Sequence, residues 1–349
     1  MPHEAPVILS DDVPTPARAL SWGILGTGKI ARQFADELIT LPSARLAGVA
    51  SRTAANAAEF VQQFGDGIDA KAYESYAALC ADPEIDLVYI ATPTGSHAEL
   101  CRMALMADKA VLCEKPFCSN AAEAAEIFAL AKARGLFVME AMWMRFNPLI
   151  QKAKRLLEEG AIGDVRTLHA ELGYAKNADV LGQASEGRGA RLAFGCYGAS
   201  LAVFLFGAPL SSSLHVVRTE TGAEDSVALV LEYPSLVVSL LFSEWATLGN
   251  EVRIRGRGGN LVIGDPFINA TSLQLTSFER LQQRSVREKL EDRLRRLFGR
   301  DRAGDVSCFN AGFREEAEET MRCMHAGLLE SPKMPHAETL LVHRLLETG

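Results

Sequence analysis

Three short stretches carry residue types that could do chemistry. Gly26-Thr27-Gly28-Lys29-Ile30-Ala31 fits the pattern G-x-G-x-x-A. In such a turn the first glycine allows a tight bend, the second lets a pyrophosphate approach the backbone, and the small third residue lets a helix pack close to a strand. The N–H groups and partial positive charge of the helix start would complete an anion cradle. Roughly 20 residues on, where an NAD site usually places an Asp or Glu for the ribose 2′-hydroxyl, stands Ser51-Arg52-Thr53. A carboxylate would repel a 2′-phosphate, whereas a guanidinium pairs with it and hydroxyls donate to it. NADP is therefore expected over NAD. The third stretch is Glu114-Lys115-Pro116-Phe117, which follows an apolar run. The C-terminal edge of an open parallel sheet is where such folds place ligands. A lysine before proline is kept out of helical conformation. An amine held there, partly desolvated beside a cationic nicotinamide, loses basicity and can take a proton from a hydroxyl as hydride leaves the same carbon. On residue type alone, a surface lysine ahead of a proline is the plainer reading.

These stretches need a scaffold, and the hydrophobic pattern supplies one. Strands are predicted at Leu20–Leu25, Arg45–Ala50, Asp86–Ala91, Ala110–Cys113 and Leu136–Met139. Helices are predicted between them, at Lys29–Leu41, Ala54–Phe64, His97–Ala107 and Ala121–Arg134. Strands separated by helices pair in parallel through crossovers, which predicts a doubly wound α/β sheet. Its first turn carries the glycine motif in the context that supports it, after a strand and at the head of a helix. Past residue 142 the pattern changes. A helix at Pro148–Glu159 and a strand at Val165–Tyr174 precede three apolar runs, Ser226–Tyr233, Leu236–Ser243 and Asn250–Arg255, joined by short turns. These predict an antiparallel sheet in an α+β unit. A charged helix at 284–300 reads as a surface element, and Phe313–Leu329 reads as a closing helix. The expected organisation is a loose tail at 1–18, a dinucleotide-binding domain at 19–142 and a substrate and dimerisation domain at 143–349, whose last helix packs back on the first domain.

Composition excludes other classes. The chain has 349 residues, 48% hydrophobic and 23% charged, with a net charge of −8. An acidic balance argues against nucleic acid and anionic membranes as partners. The longest apolar run, around Ser235 to Phe242, is the length of a strand, not of a membrane span. Residues 1–20 lack the pattern of a secretory signal. The cysteines, 7 in number, show no CxxC pair or metal-ligand spacing, so no metal site is predicted and reduced thiols in a cytoplasmic protein are expected.

Taken together with Ala91-Thr92-Pro93-Thr94 and His97, and with Glu140-Ala141-Met142-Trp143-Met144-Arg145-Phe146-Asn147-Pro148, the motifs come in a familiar order. The sequence resembles the glucose–fructose oxidoreductase/inositol dehydrogenase/MocA family, in the branch of dihydrodiol and NADP-dependent xylose dehydrogenases, over about residues 20–347. Gly195-Cys196-Tyr197, Gly264-Asp265-Pro266-Phe267 and Glu330-Ser331-Pro332 fit the same branch. The resemblance implies a Rossmann domain followed by an α/β domain with a large open antiparallel sheet, commonly used to form a homodimer or dimer of dimers. It implies that Lys115 is the acid/base residue, ahead of a cis Pro116, with Tyr197 as its partner. Glu114 would bind the nicotinamide ribose; Thr92, Pro93, Thr94 and His97 would line the cofactor's edge; Trp143 and Arg145 would flank nicotinamide and substrate.

One departure stands out. Family members commonly have an acidic residue four positions before the Tyr or His, whereas this chain has Ala193 before Tyr197. The substrate pocket would then comprise Lys115, Trp143, Ala193 and Tyr197, with no carboxylate. Arg188 and Arg191 add positive charge nearby, suited to an acidic substrate or merely to a surface. The leading expectation is an NADP-dependent oxidoreductase acting on a secondary alcohol or carbonyl of a small sugar, polyol or cyclic diol. A cofactor-binding regulator with little catalysis, and a redox-assisted lyase or glycosidase that recycles its cofactor, are the alternatives.

Overall fold

The structure, a computed structural model, describes residues 18–64, 68–175, 189–220, 222–278 and 312–347. The tail up to residue 17, Arg188 and the charged segment 284–300 lie outside the described residues.

The first half alternates strand and helix. β1 (Leu20–Leu25) is buried at every position, and α1 (Lys29–Leu38) turns Ala31, Phe34, Ala35 and Leu38 inward at helical spacing. β2 (Ala44–Ala50) and α2 (Ala54–Gln62) follow. β3 (Lys71–Tyr73) and α3 (Tyr76–Ala81) are additions to the sequence reading, too short for a period to show. β4 (Leu87–Ile90), α4 (His97–Met106), β5 (Ala110–Glu114), α5 (Ala121–Arg134) and β6 (Val138–Ala141) complete the alternation. β6 starts two residues later than expected because the end of α5 takes up Leu136. Gly135 adopts φ 65° and Leu136 N–H donates back to Ala131 O at 3.0 Å, so the chain is still closing the helix there. The strands run in the order β3-β2-β1-β4-β5-β6, every pair parallel.

α6 (Trp143–Phe146) and α7 (Pro148–Glu158) lead into the second half. β7 (Val165–Gly173), α8 (Ala190–Ala193) and α9 (Gly195–Phe206) come next. They are followed by β8 (Ser211–Arg218), β9 (Glu224–Glu232), β10 (Val237–Ser243), β11 (Val252–Gly256), β12 (Gly259–Ile263) and β13 (Leu273–Ser277). The chain closes with α10 (Phe313–His325) and α11 (His336–Leu346). The second sheet has the order β13-β12-β11-β7-β10-β9-β8. It is mixed rather than wholly antiparallel, because β7 inserts between β10 and β11 and pairs parallel to β10. The helices α8 and α9 provide the crossover that a parallel neighbour requires. α9 is apolar around its whole circumference and correspondingly buried. Its Gly198 faces the Phe242 ring so closely that a Cβ would lie 2.6 Å from it.

α11 returns to the first sheet. His336 Nε2 lies 2.8 Å from Val138 O, Thr339 Oγ1 donates to the buried Glu140 at 2.9 Å, and Glu347 accepts from Ala121 N–H at 2.7 Å. Among the described residues, no helix is long and apolar enough to cross a membrane, and no His, Cys, Asp and Glu cluster could hold a metal ion.

Candidate active site

Two neighbouring edges of the first sheet form the site. At the β1–α1 turn Gly26 has φ +110°, and a Cβ there would stand 2.6 Å from Ala91 O at the end of β4. Only glycine suits that crossing. Gly28 differs. Its backbone is extended, it precedes α1 with no side-chain cap, and a Cβ placed on it would meet nothing within 4 Å. The first turn of α1 carries no acidic residue. Uncapped N–H groups beside open space suit an anion that needs close backbone approach. Lys29 is exposed and Ile30 half-buried alongside. Thr27 Oγ1 lies 3.2 Å from the Ser51 hydroxyl, joining the turn to the end of β2. Thr53 caps α2, accepting from Asn56 N–H at 3.3 Å. Arg52 is exposed, and no hydrogen bond or ion pair engages its guanidinium among the described residues. The turn and the helix start fit the phosphates of a dinucleotide.

The second edge lies at the ends of β4, β5 and β6. After β4, Ser96 Oγ donates to Thr92 Oγ1 and Pro93 O, both at 2.8 Å, shaping the loop that holds Pro93 and Thr94. At the end of β5, Glu114 is buried and accepts from Tyr89 O–H at 2.6 Å and from Lys115 N–H at 3.2 Å. Burial pushes its carboxyl up to about 7 against the opposing pull of the Tyr89 hydroxyl and the Lys115 charge. The Lys115–Pro116 peptide is cis. Lys115 Nζ donates to Ala193 O at 3.3 Å and lies 4.2 Å from the centre of the Tyr197 ring. Tyr197 is buried, and Trp143 meets it edge-on at 5.6 Å. Burial and the nearby Glu114 raise the Tyr197 hydroxyl well above its ordinary range; the Trp143 indole N–H acts the other way, from outside hydrogen-bond geometry.

Lys115, Trp143, Ala193 and Tyr197 are thus brought together, with Glu114 beneath them. Arg145 departs from its expected place beside a ligand. It is fully buried, and its guanidinium is committed to Ser200 Oγ at 2.7 Å, Ser200 O at 3.0 Å, Lys333 O and the Glu338 carboxylate. His97 is likewise internal, with its ring against backbone carbonyls rather than open space. Arg191 donates to buried Glu224 at 2.9 Å and to Leu346 O, so it is held within the protein.

Three buried polar groups near the site were not singled out in the sequence. Tyr89 is an aromatic with a polar tip inside an apolar strand, a signal that was available. Glu140 accepts Phe117 N–H at 3.1 Å as well as Thr339. Glu316 is fully buried with no partner for either carboxyl oxygen among the described residues, and burial with nearby Glu114 raises it well above the ordinary carboxyl range. It sits in the charged run Arg314-Glu315-Glu316, which reads as a solvated face, yet it falls on the same stripe as Phe313, Ala317 and Thr320.

Comparison with known proteins places the chain among related sequences and folds. The oxidoreductase family with an NAD-binding Rossmann fold matches residues 20–142, and the GFO/IDH/MocA C-terminal domain matches residues 150–262. Trans-1,2-dihydrobenzene-1,2-diol dehydrogenases from Bos taurus and Homo sapiens are each 34% identical to this chain, over 94% of it and 95% of the relative. The solved aldose-aldose oxidoreductase from Caulobacter crescentus superposes with a TM-score of 0.78 at 21% identity, covering 94% of this chain and 95% of its own. A 3-ketoreductase from Actinomadura kijaniata, in complex with TDP-benzene and NADP, gives 0.76 at 22% identity over 94% and 96%. These last two likenesses are of fold. The matched families and the dehydrogenase relatives show that the chain belongs to the GFO/IDH/MocA family of oxidoreductases.

Proposed function

We propose that this oxidoreductase uses NADP to oxidise a secondary alcohol, or reduce the matching carbonyl, of a small sugar, polyol or cyclic diol. The observation that carries the reading is the placement of Lys115 Nζ between Ala193 O and the face of Tyr197, at the sheet edge beside the glycine turn. NADP supplies hydride acceptance or donation at its nicotinamide ring. Gly26, Thr27, Gly28, Lys29 and Ile30 seat its pyrophosphate, and Ser51, Arg52 and Thr53 read its 2′-phosphate. Thr92, Pro93 and Thr94 border the nicotinamide side, with Glu114 at the ribose and Trp143 as a wall.

Lys115 is the acid/base residue. It accepts the hydroxyl proton in oxidation and returns it in reduction, while Tyr197 donates a hydrogen bond to the same substrate oxygen. The missing carboxylate at Ala193 does not leave the lysine unheld, because the backbone carbonyl of that same residue accepts its N–H. Orientation by a fixed carbonyl does the geometric part of what a carboxylate would do. A homodimer, or dimer of dimers, through the open face of the second sheet belongs to the same reading, since Val217 and Val237 are exposed on its strands. A cytoplasmic setting fits the cysteines, which are buried and unpaired at all six described positions.

The test is nicotinamide absorbance on mixing the protein with NADP, or with NAD, and a panel of aldoses, inositols and cyclic diols. Reduction with NADP is expected. Lys115→Met should lower turnover by about a thousandfold, in the range general acid–base catalysis supplies, while leaving NADPH affinity within about twofold. Arg52→Ala should weaken NADPH by about tenfold or more and leave NADH nearly unchanged, the loss of one charge-assisted contact. An active Lys115→Met enzyme, or equal losses for both cofactors, would contradict the assignments. No net change in absorbance across the panel, with NADPH still bound, would favour a closed redox cycle.

A further inference from the structure

His97 stands at the head of α4, yet its ring is buried and each nitrogen faces backbone oxygen. Nε2 lies 2.8 Å from Thr92 O. Nδ1 lies 3.0 Å from Pro116 O and 3.3 Å from Phe117 O. Thr92 belongs to the loop after β4, and Pro116 and Phe117 directly follow Lys115 after β5. The β4–β5 ladder ends at the pairing of Ile90 with Cys113, so one imidazole spans the two loops where the ladder has stopped. Carbonyls only accept hydrogen bonds, and the ring always has at least one N–H to give. Burial lowers the imidazole pKa below its ordinary value, against the smaller upward pull of the three carbonyls and Glu140.

We propose that His97 is a positioning residue that sets the distance between the Thr92–Thr94 loop and Lys115, and so builds the seat for the nicotinamide half of the cofactor. It acts through the two backbones and touches no ligand. The inference rests on the NADP reading above. In a sheet of this order the adenosine half lies over β1–β3 and the nicotinamide half over β4–β6. Loosening the bracket must therefore harm one half of the ligand and spare the other.

Calorimetric titration of the full chain with NADPH, and separately with adenosine 2′,5′-bisphosphate, reads this out without turnover. The bisphosphate keeps the adenosine and 2′-phosphate and lacks the nicotinamide. His97→Phe keeps a flat, somewhat larger ring and removes both ring nitrogens. It should lower the ratio of NADPH to bisphosphate affinity about tenfold, the scale of a lost buried hydrogen bond. His97→Gln, whose amide still donates to one loop, should lower the ratio by only about threefold. An unmoved ratio in both variants, or equal losses for both ligands, overturns the proposal and leaves His97 a purely structural residue. Should His97→Phe not fold, His97→Gln decides alone: a fall of about threefold supports the bracket and an unmoved ratio removes it. Wild-type protein that binds neither ligand would remove the cofactor reading and this inference together, a result distinct from wild type binding both with the ratio unmoved.

Discussion

The glutamate beneath Lys115 has a measurable consequence in pH. Glu114 is held at about 7 by burial, with Tyr89 as the largest opposing influence. Between the ordinary carboxyl value of 4.5 and about 7 the folded protein keeps a proton that the unfolded chain releases. Stability from this group is full below that window and declines as pH rises through it. Tyr89→Phe removes the hydroxyl that favours the anion, so Glu114 should titrate higher and the decline should extend further. Urea midpoints are expected to show a gap between wild type and Tyr89→Phe of about 1–2 kcal/mol near pH 6, typical of a lost buried hydrogen bond, widening toward pH 8.5. A constant gap would mean that Tyr89 does not govern the Glu114 proton. The residue scale is also where the sequence is read most unevenly. Gly26 and Gly28 announce themselves by type and neighbours, because few alternatives explain a G-x-G-x-x-A turn after a buried strand, whereas Lys115 taken by type alone reads as a surface lysine ahead of a proline. Arg145 and His97 are legible as notable residues but not in direction. Whether a polar side chain faces a ligand or a buried carbonyl depends on partners at Ser200, Glu338 and Pro116, distant in sequence and invisible to local spacing.

At the scale of the element, the β1–α1 turn separates two glycines that the sequence presents as one motif. Gly26 is required by the fold: its positive φ and its approach to Ala91 O leave no room for a Cβ. Gly28 is not required by any protein contact, since a Cβ there meets open space. Gly26→Ala should therefore destabilise the protein by about 1–3 kcal/mol through backbone strain and displacement of β4. Gly28→Ala should stay within about 0.5 kcal/mol of wild type in unfolding, and should still reduce NADPH affinity at least about tenfold. Thermal unfolding and cofactor titration of the two variants test both halves. A Gly28→Ala protein that binds normally would place the pyrophosphate elsewhere. Most elements of the first sheet are predictable because each buries a continuous apolar face or run, as β1 and α5 do. β8 and β3 escape detection because their residues are largely exposed or too few, so no hydrophobic period forms.

Across the whole molecule, what the sequence does not disclose is the set of partners on which a returning element closes. α11 is reached only after the second sheet is complete, yet it packs against α5 and supplies Thr339 to Glu140 at the end of β6. The parallel pairing of β10 with β7 is a return of the same kind, hidden because adjacency across a crossover leaves no mark in local pattern. Arg145 ties these returns together, joining α6 to Ser200 of α9 and to Glu338 of α11. Its guanidinium has no exposure, while Glu338 remains about one-third exposed. The pair's value is therefore asymmetric. Removing the carboxylate strands a cation in the interior, which typically costs about 3–5 kcal/mol. Replacing the cation itself by an apolar chain of similar length costs much less, because its burial penalty disappears with it. Glu338→Ala is accordingly expected to lose about 3 kcal/mol in urea unfolding, toward the low end of that range because Ser200 and Lys333 still accept from Arg145. Adding Arg145→Met to that variant should recover most of the loss. If the helix return holds the molecule as one cooperative unit, the loss will appear equally in tryptophan fluorescence, which samples Trp22 in β1, Trp143 in α6 and Trp245 just after β10, and in far-ultraviolet dichroism, which samples both sheets. Separated midpoints would instead show that the two sheets unfold apart, and that α11 fastens a boundary rather than completes a core.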